Sequence, residues 1–134
     1  MTVRPQQQYL TTEGNKMKFL YLTAALFLAS TSVFAGSMDP GSMSSTVFAN
    51  GSDVYYETFY ANETAIVEVR GNCPSVAQDI DLWIYDEFDN LIVKSTGNTC
   101  FERAVWNPIW TGAFKIVIEN SNKPYDTSYT YSSN

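Results

Sequence analysis

Apolar side chains recur at every second position in one short segment after another, and this repeat leaves the chain few ways to fold. In residues 65–70, Ala65, Val67 and Val69 fall on one face, with Glu68 and Arg70 on the other. Ile80, Leu82 and Ile84 share a face, while Asp79, Asp81, Trp83 and Tyr85 share the opposite one. Leu91 and Val93 are expected inward and Lys94 outward; Phe114, Ile116 and Ile118 alternate with Lys115 and Glu119. A period of two is the mark of a half-buried strand. Further strands are predicted over residues 55–60, 101–106 and 125–131. Turn clusters separate them: Gly51-Ser52-Asp53, residues 86–90 (DEFDN), Gly97-Asn98, Asn107-Pro108 and residues 121–124 (SNKP). No helical pattern follows the first forty residues. Each strand has one oily face, so two layers of sheet must bury these faces against each other. The predicted class is all-β, a sandwich or barrel of about seven or eight strands.

The chain has 134 residues, enough for one domain. Residues 17–35 read MKFLYLTAALFLASTSVFA. A short basic start, an apolar run from Phe19 to Ala29 and the small-x-small end Val33-Phe34-Ala35 describe a secretory signal peptide. The run is too short for a membrane anchor, which needs about 20 apolar residues. Residues 1–16 read as an upstream extension or tag, and residues 36–43 (GSMDPGSM) as a linker or cloning scar outside the fold. The sandwich domain is then 44–134. The expected location is secreted or periplasmic, with no membrane span in the mature form.

Formal charge is −6 over the whole chain. From Gly36 onward, 13 acidic residues face 5 basic ones, a charge of −8. Nucleic acid is not an expected partner of so acidic a domain. Histidine is absent, which removes the usual general base and the commonest zinc ligand. No G-x-S-x-G elbow and no Gly-rich phosphate loop occur. The chain is therefore expected not to be an enzyme. Cys73 and Cys100 are the only cysteines; in an exported chain two cysteines imply one disulfide, the alternative being two buried thiols.

Three ordered blocks add a family resemblance. DIDLWIYDEFDNLIV, residues 79–93, resembles the "DLDLYVYDxxGNLV" strand–turn–strand of bacterial pre-peptidase C-terminal (PPC) domains. AVWNPIWTGAFKIVIEN, residues 104–120, is similar to that family's "VxWTPxxTGxYTIxV" stretch, and the closing SYTYSSN to its terminal strand. The resemblance implies a jelly-roll-like antiparallel β-sandwich, of a kind usually appended to secreted peptidases and related to the collagen-binding-type domains of collagenases, some of which hold calcium. Phe88 and Asp89 stand where the family often has a small residue and glycine, so the turn there is expected to differ.

Asp79 and Asp81, on one side of a strand, are the candidate calcium ligands; no other cofactor is expected. Calcium takes six to eight oxygens, so these two need partners from another loop. The turn acids Asp86, Glu87 and Asp89 lie roughly 17–20 Å from Asp79 at the usual rise and cannot share its ion. The alternative reading is that all five are solvated acids around a strand and its turn. Trp83, Tyr85 and Trp110 are the candidate binding face, aromatics able to stack on sugars or anchor a protein. The alternative is that they pack beneath a crossing loop. Two functions follow: a module that binds or positions an extracellular protein or polysaccharide, or a subunit that oligomerises through sheet edges or faces. Asn50-Gly51-Ser52 and Asn62-Glu63-Thr64 match the N-glycosylation pattern, which also arises by chance.

Overall fold

A computed structural model describes residues 36–74, 79–120 and 124–134. The upstream extension and the signal peptide fall outside the described residues. Eight strands follow in order: β1 (Ser42–Val47), β2 (Ser52–Phe59), β3 (Ala65–Gly71), β4 (Asp81–Tyr85), β5 (Leu91–Ser95), β6 (Phe101–Trp106), β7 (Gly112–Glu119) and β8 (Thr127–Ser133). They form two four-stranded sheets, β1-β8-β3-β6 and β2-β7-β4-β5, with every pairing antiparallel. Only β4 and β5 are joined as a hairpin within one sheet; every other connection crosses to the opposite layer. The expected jelly-roll-like antiparallel β-sandwich is the fold of this chain. No helix among the described residues is long and apolar enough to cross a membrane.

The period-two faces meet between the layers. Val67 and Val69 of β3, Leu82 and Ile84 of β4, Ala104 and Trp106 of β6, and Phe114, Ile116 and Ile118 of β7 are all buried. Phe59, Trp106 and Phe114 pack edge-on or tilted, with centroids 4.7 to 6.0 Å apart. Aromatic pairs in such arrangements add about 0.5–1.5 kcal/mol beyond their area.

Three details depart from the sequence reading. First, residues 36–43 are not outside the fold. Ser37 pairs with Phe59, and backbone hydrogen bonds run from Met38 to the Thr58 carbonyl (2.7 Å) and from Tyr60 to the Gly36 carbonyl (2.8 Å). A Cβ on Gly36 would lie 2.4 Å from the Thr64 carbonyl oxygen, so only glycine fits this approach. The segment lies along the end of β2 as a short added strand. Pro40 then ends the pairing, having no N–H to donate, and the chain crosses to β1 in the other sheet. Second, β1 itself shows no apolar alternation: of SMSSTV only Val47 is buried, and pairing with β8 makes the strand. Third, Leu91 is exposed rather than inward. The β4–β5 register shifts beside Ile84, so that Ile84 faces Val93 but Tyr85 faces Leu91. The extra residue, Ile92, turns Leu91 away from the core.

A two-layer sandwich has two open sides, here between β1 and β2 and between β5 and β6. Both are closed by carboxylates on edge strands that point inward. On β2, Glu57 accepts hydrogen bonds from Ser37, Tyr131 and Ser133, and Asp53 from Tyr129 (2.6 Å) and Ser45 (3.4 Å). On β6, the buried Glu102 accepts from Ser95, from Thr99 (3.0 Å) and from the Gly97 N–H (3.3 Å). Charges buried along an edge oppose pairing of that edge with another chain, because exposing them to a stacked strand would strip their hydration.

Cys73 and Cys100 form the expected disulfide. It ties the segment after β3 to the start of β6. Gly71 makes room for it: a Cβ there would sit 3.2 and 3.3 Å from the two sulfurs.

Candidate functional site

The solvent-facing side of the β2 sheet carries apolar residues where polar ones are the rule. Strand register aligns them in two rows. Val54 of β2 faces Val117 of β7, which faces Trp83 of β4, which faces Lys94 of β5. In the next row Tyr56 faces Lys115, which faces Tyr85. Val54 is 47% exposed and Tyr56 72%. Trp83 and Tyr85 are half-covered, each by a lysine. The Lys94 ammonium stands 4.9 Å from the Trp83 ring centre, and that of Lys115 stands 4.8 Å from Tyr85. Cation–π contact of this kind is worth about 0.5–1 kcal/mol at exposed sites. Lys115 also pairs with Asp89, whose hydrogen bond and charge raise the lysine above its ordinary value of 10.5. Both cations therefore remain charged on this face.

The opposite sheet presents a different surface. Its outward side carries Ser44, Thr46, Ser128 and Thr130, with Thr46 and Ser128 hydrogen-bonded at 3.0 Å. Glu68 and Arg103 form an ion pair at 3.0 Å, and the Arg70 guanidinium lies 4.2 Å above Phe101. The aromatic-and-lysine combination over three strands belongs to the β2 sheet.

Of the candidate binding residues, Trp83 and Tyr85 do share this face. Trp110 does not. It stacks on Phe114 with centroids 5.9 Å apart and packs against the core. Gly112 provides its seat, since a Cβ there would fall 2.9 Å from the Trp110 ring. Tyr56 and Val54 join the face instead. Their signal was present in the sequence: alternation from Phe59 backwards puts Tyr55 and Glu57 inward and Tyr56 outward.

The acidic residues of 79–90 separate into distinct roles. Asp86 is buried and organises its turn. Its carboxylate accepts from the N–H groups of Phe88 and Asn90 (2.8 Å each) and from the Asn90 amide (2.9 Å). Burial opposes its ionisation, but Asn90's side chain and the two N–H groups outweigh this and hold it below its ordinary value. Asp89 adopts a φ of 62°, the left-handed conformation that glycine takes most easily, so the turn is made without glycine. Glu87 is exposed. Asp81 opens β4 and faces Glu119 across the sheet. Asp79 lies just before β4, with one carboxylate oxygen buried and unbonded among the described residues. No group of three or more acidic, histidine or cysteine side chains able to hold a metal occurs among the described residues. Asn50 and Asn62, the two sequon asparagines, take φ values of 56° and 63°, turn conformations that asparagine tolerates well.

No protein-family model and no curated protein matches the sequence. Solved structures do match in fold. The pre-peptidase C-terminal domain of a collagenase from Bacillus anthracis is similar with a TM-score of 0.59 at 14% identity, over 71% of this chain and 89% of that one. The Yersinia pseudotuberculosis-derived mitogen is similar with a TM-score of 0.51 at 11% identity, over 72% of this chain and 85% of that one. The fold expected from the three sequence blocks, that of a pre-peptidase C-terminal domain, is the fold this chain has.

Proposed function

We propose that the chain is a non-catalytic exported module that binds an extracellular protein or polysaccharide through the outer face of the β2 sheet. One observation carries this reading: Val54, Tyr56, Val117, Trp83 and Tyr85 form two adjoining rows on the solvent side of a sheet, interleaved with Lys94 and Lys115. A flat surface of aromatic rings with cations beside them suits a partner that offers apolar or ring faces together with carboxylates or hydroxyls. The like-folded collagenase domain from Bacillus anthracis is itself a piece of a matrix-degrading protein, which supports a polymer as partner. The absence of histidine and the structural engagement of Asp86, Glu57 and Glu102 support a module without catalysis of its own. The disulfide supports an oxidising compartment.

The test is retention of the purified domain on insoluble collagen, chitin, cellulose and peptidoglycan. Retention on one of them is expected, and Trp83→Ala or Tyr56→Ala is expected to release it. Equal retention of wild type and both variants removes the face from the mechanism. A second reading is assembly of copies through β2, whose Val54 and Tyr56 lie exposed on an edge strand. Sedimentation velocity at several concentrations separates the two, because a monomer throughout leaves those residues free for a different partner.

A further inference from the structure

The mouth between β1 and β2 is a groove of about 490 Å³. Its lining includes the rings of Tyr55 and Tyr131, the thioethers of Met38 and Met43, and the carboxylates of Glu57 and Asp39; it contains no basic residue. The two rings lie 5.6 Å apart and tilted by 32°. Met38 is 50% exposed and Met43 38%, so the entrance is apolar and open to solvent.

Electrostatics narrows the occupant. Asp39, Asp53 and Glu57 are in no ion pair among the described residues. The groove is therefore negative, in low-polarity surroundings, with nothing of this chain's described residues to offset it. A cation is the complementary ligand.

Hydrogen-bond capacity narrows it further. A carboxylate offers about four lone-pair sites. Glu57 Oε1 already accepts from Ser37 and Ser133, and Oε2 from Tyr131, so one site remains. A primary ammonium brings three N–H donors and would leave most of them unmet. A methylated ammonium brings none. It needs only a negative potential and polarizable faces, which tyrosine rings and methionine sulfurs provide.

We propose that this groove binds a methylated ammonium group, of the kind carried by choline-type head groups or by trimethylated lysine. The site lies at the open side of the sandwich and uses residues other than the lysine-bearing rows of the outer face.

The experiment follows the methyl resonances of Met38 and Met43 by NMR while tetramethylammonium chloride is titrated into the intact domain. Choline and Nα-acetyl-trimethyllysine are titrated in parallel to tell the two sources apart, and the neutral 3,3-dimethylbutanol serves as a shape control. Saturable shifts with the cations are expected, with the neutral compound weaker by about tenfold or more. Glu57→Gln keeps the shape and removes the charge, and is expected to weaken the cations about tenfold while leaving the neutral compound unchanged. Asp39→Asn and Met43→Ala, both at exposed positions, serve if Glu57→Gln does not fold. Equal binding of the neutral compound, or shifts that never saturate, would overturn the proposal.

Discussion

Replacing Cys73 and Cys100 together by serine measures how much of this domain's stability comes from a restricted unfolded chain. The bridge spans a sequence separation of 27. In the chain-entropy treatment a loop of that size removes about 12 cal/mol/K from the unfolded ensemble, or about 3.5 kcal/mol at 25 °C. Local structure survives its loss. The Gly71 N–H bonds to the Cys100 carbonyl (2.7 Å) and the Asn72 N–H to the Ser128 carbonyl (2.7 Å), so both ends of the bridge are pinned by backbone. The double variant is therefore expected to keep its native β-sheet circular dichroism. Its melting temperature is expected to fall by roughly 14–28 °C, at the usual 4–8 °C per kcal/mol for a domain of this size. Urea melts of wild type and variant give the free energy directly. A loss below about 1 kcal/mol would refute the entropic reasoning, because it would mean the unfolded chain is already compact in this region.

Other consequences follow from the packing and the titrating groups. Phe114 touches Phe59, Trp106 and Trp110, and Phe114→Ala is expected to cost about 3–5 kcal/mol in the same urea melts. Asp86 is held below its ordinary value of 3.8, so its contribution is present above that pH and lost as pH falls through the folded value. Asp86→Asn is accordingly expected to flatten the fall in melting temperature on the acid side, read by scanning calorimetry from pH 5 to 2. Tyr129 and Tyr131 run the other way. Burial first, then the hydrogen bonds to Asp53 and Glu57, raises both above 10.0. Their contribution is present below about pH 10 and lost as pH rises beyond it, when the unfolded tyrosines ionise and the folded ones do not. Thermal melts between pH 9 and 11 are expected to show that decline, and Tyr129→Phe with Tyr131→Phe to reduce it.

The fold was legible wherever one face of a strand is oily and the other wet. That holds for β3, β4 and β7, where Val67, Ile84 and Ile116 alternate with Glu68, Tyr85 and Lys115. It fails for β1, because a strand of serines gains its place from β8 and not from its own burial. It fails at Leu91 because a shifted register is a property of two strands, not of one. Residues 36–43 carry the small residues of a linker, yet those same residues let the backbone approach Thr64 and Phe59 closely. Of the candidate face, Trp83 and Tyr85 followed from alternation. Trp110 sits outside any strand, so periodicity had no hold on it, and the absent Gly112 side chain is what admits it to the core edge. The inward acids Asp53 and Glu57 broke the hydrophobic alternation, and their hydroxyl donors lie |i−j| of 74 or more away on β8.

The most direct measurement compares single alanine variants on the two outer surfaces against whichever polymer retains the domain. Tyr56→Ala on the β2 sheet and Phe101→Ala on the opposite sheet both remove one exposed aromatic ring. Tyr56→Ala is expected to weaken binding by about tenfold or more, the size of a binding hot spot, with Phe101→Ala within about twofold of wild type. Loss of binding through Phe101→Ala with Tyr56→Ala unaffected would place the binding surface on the other sheet.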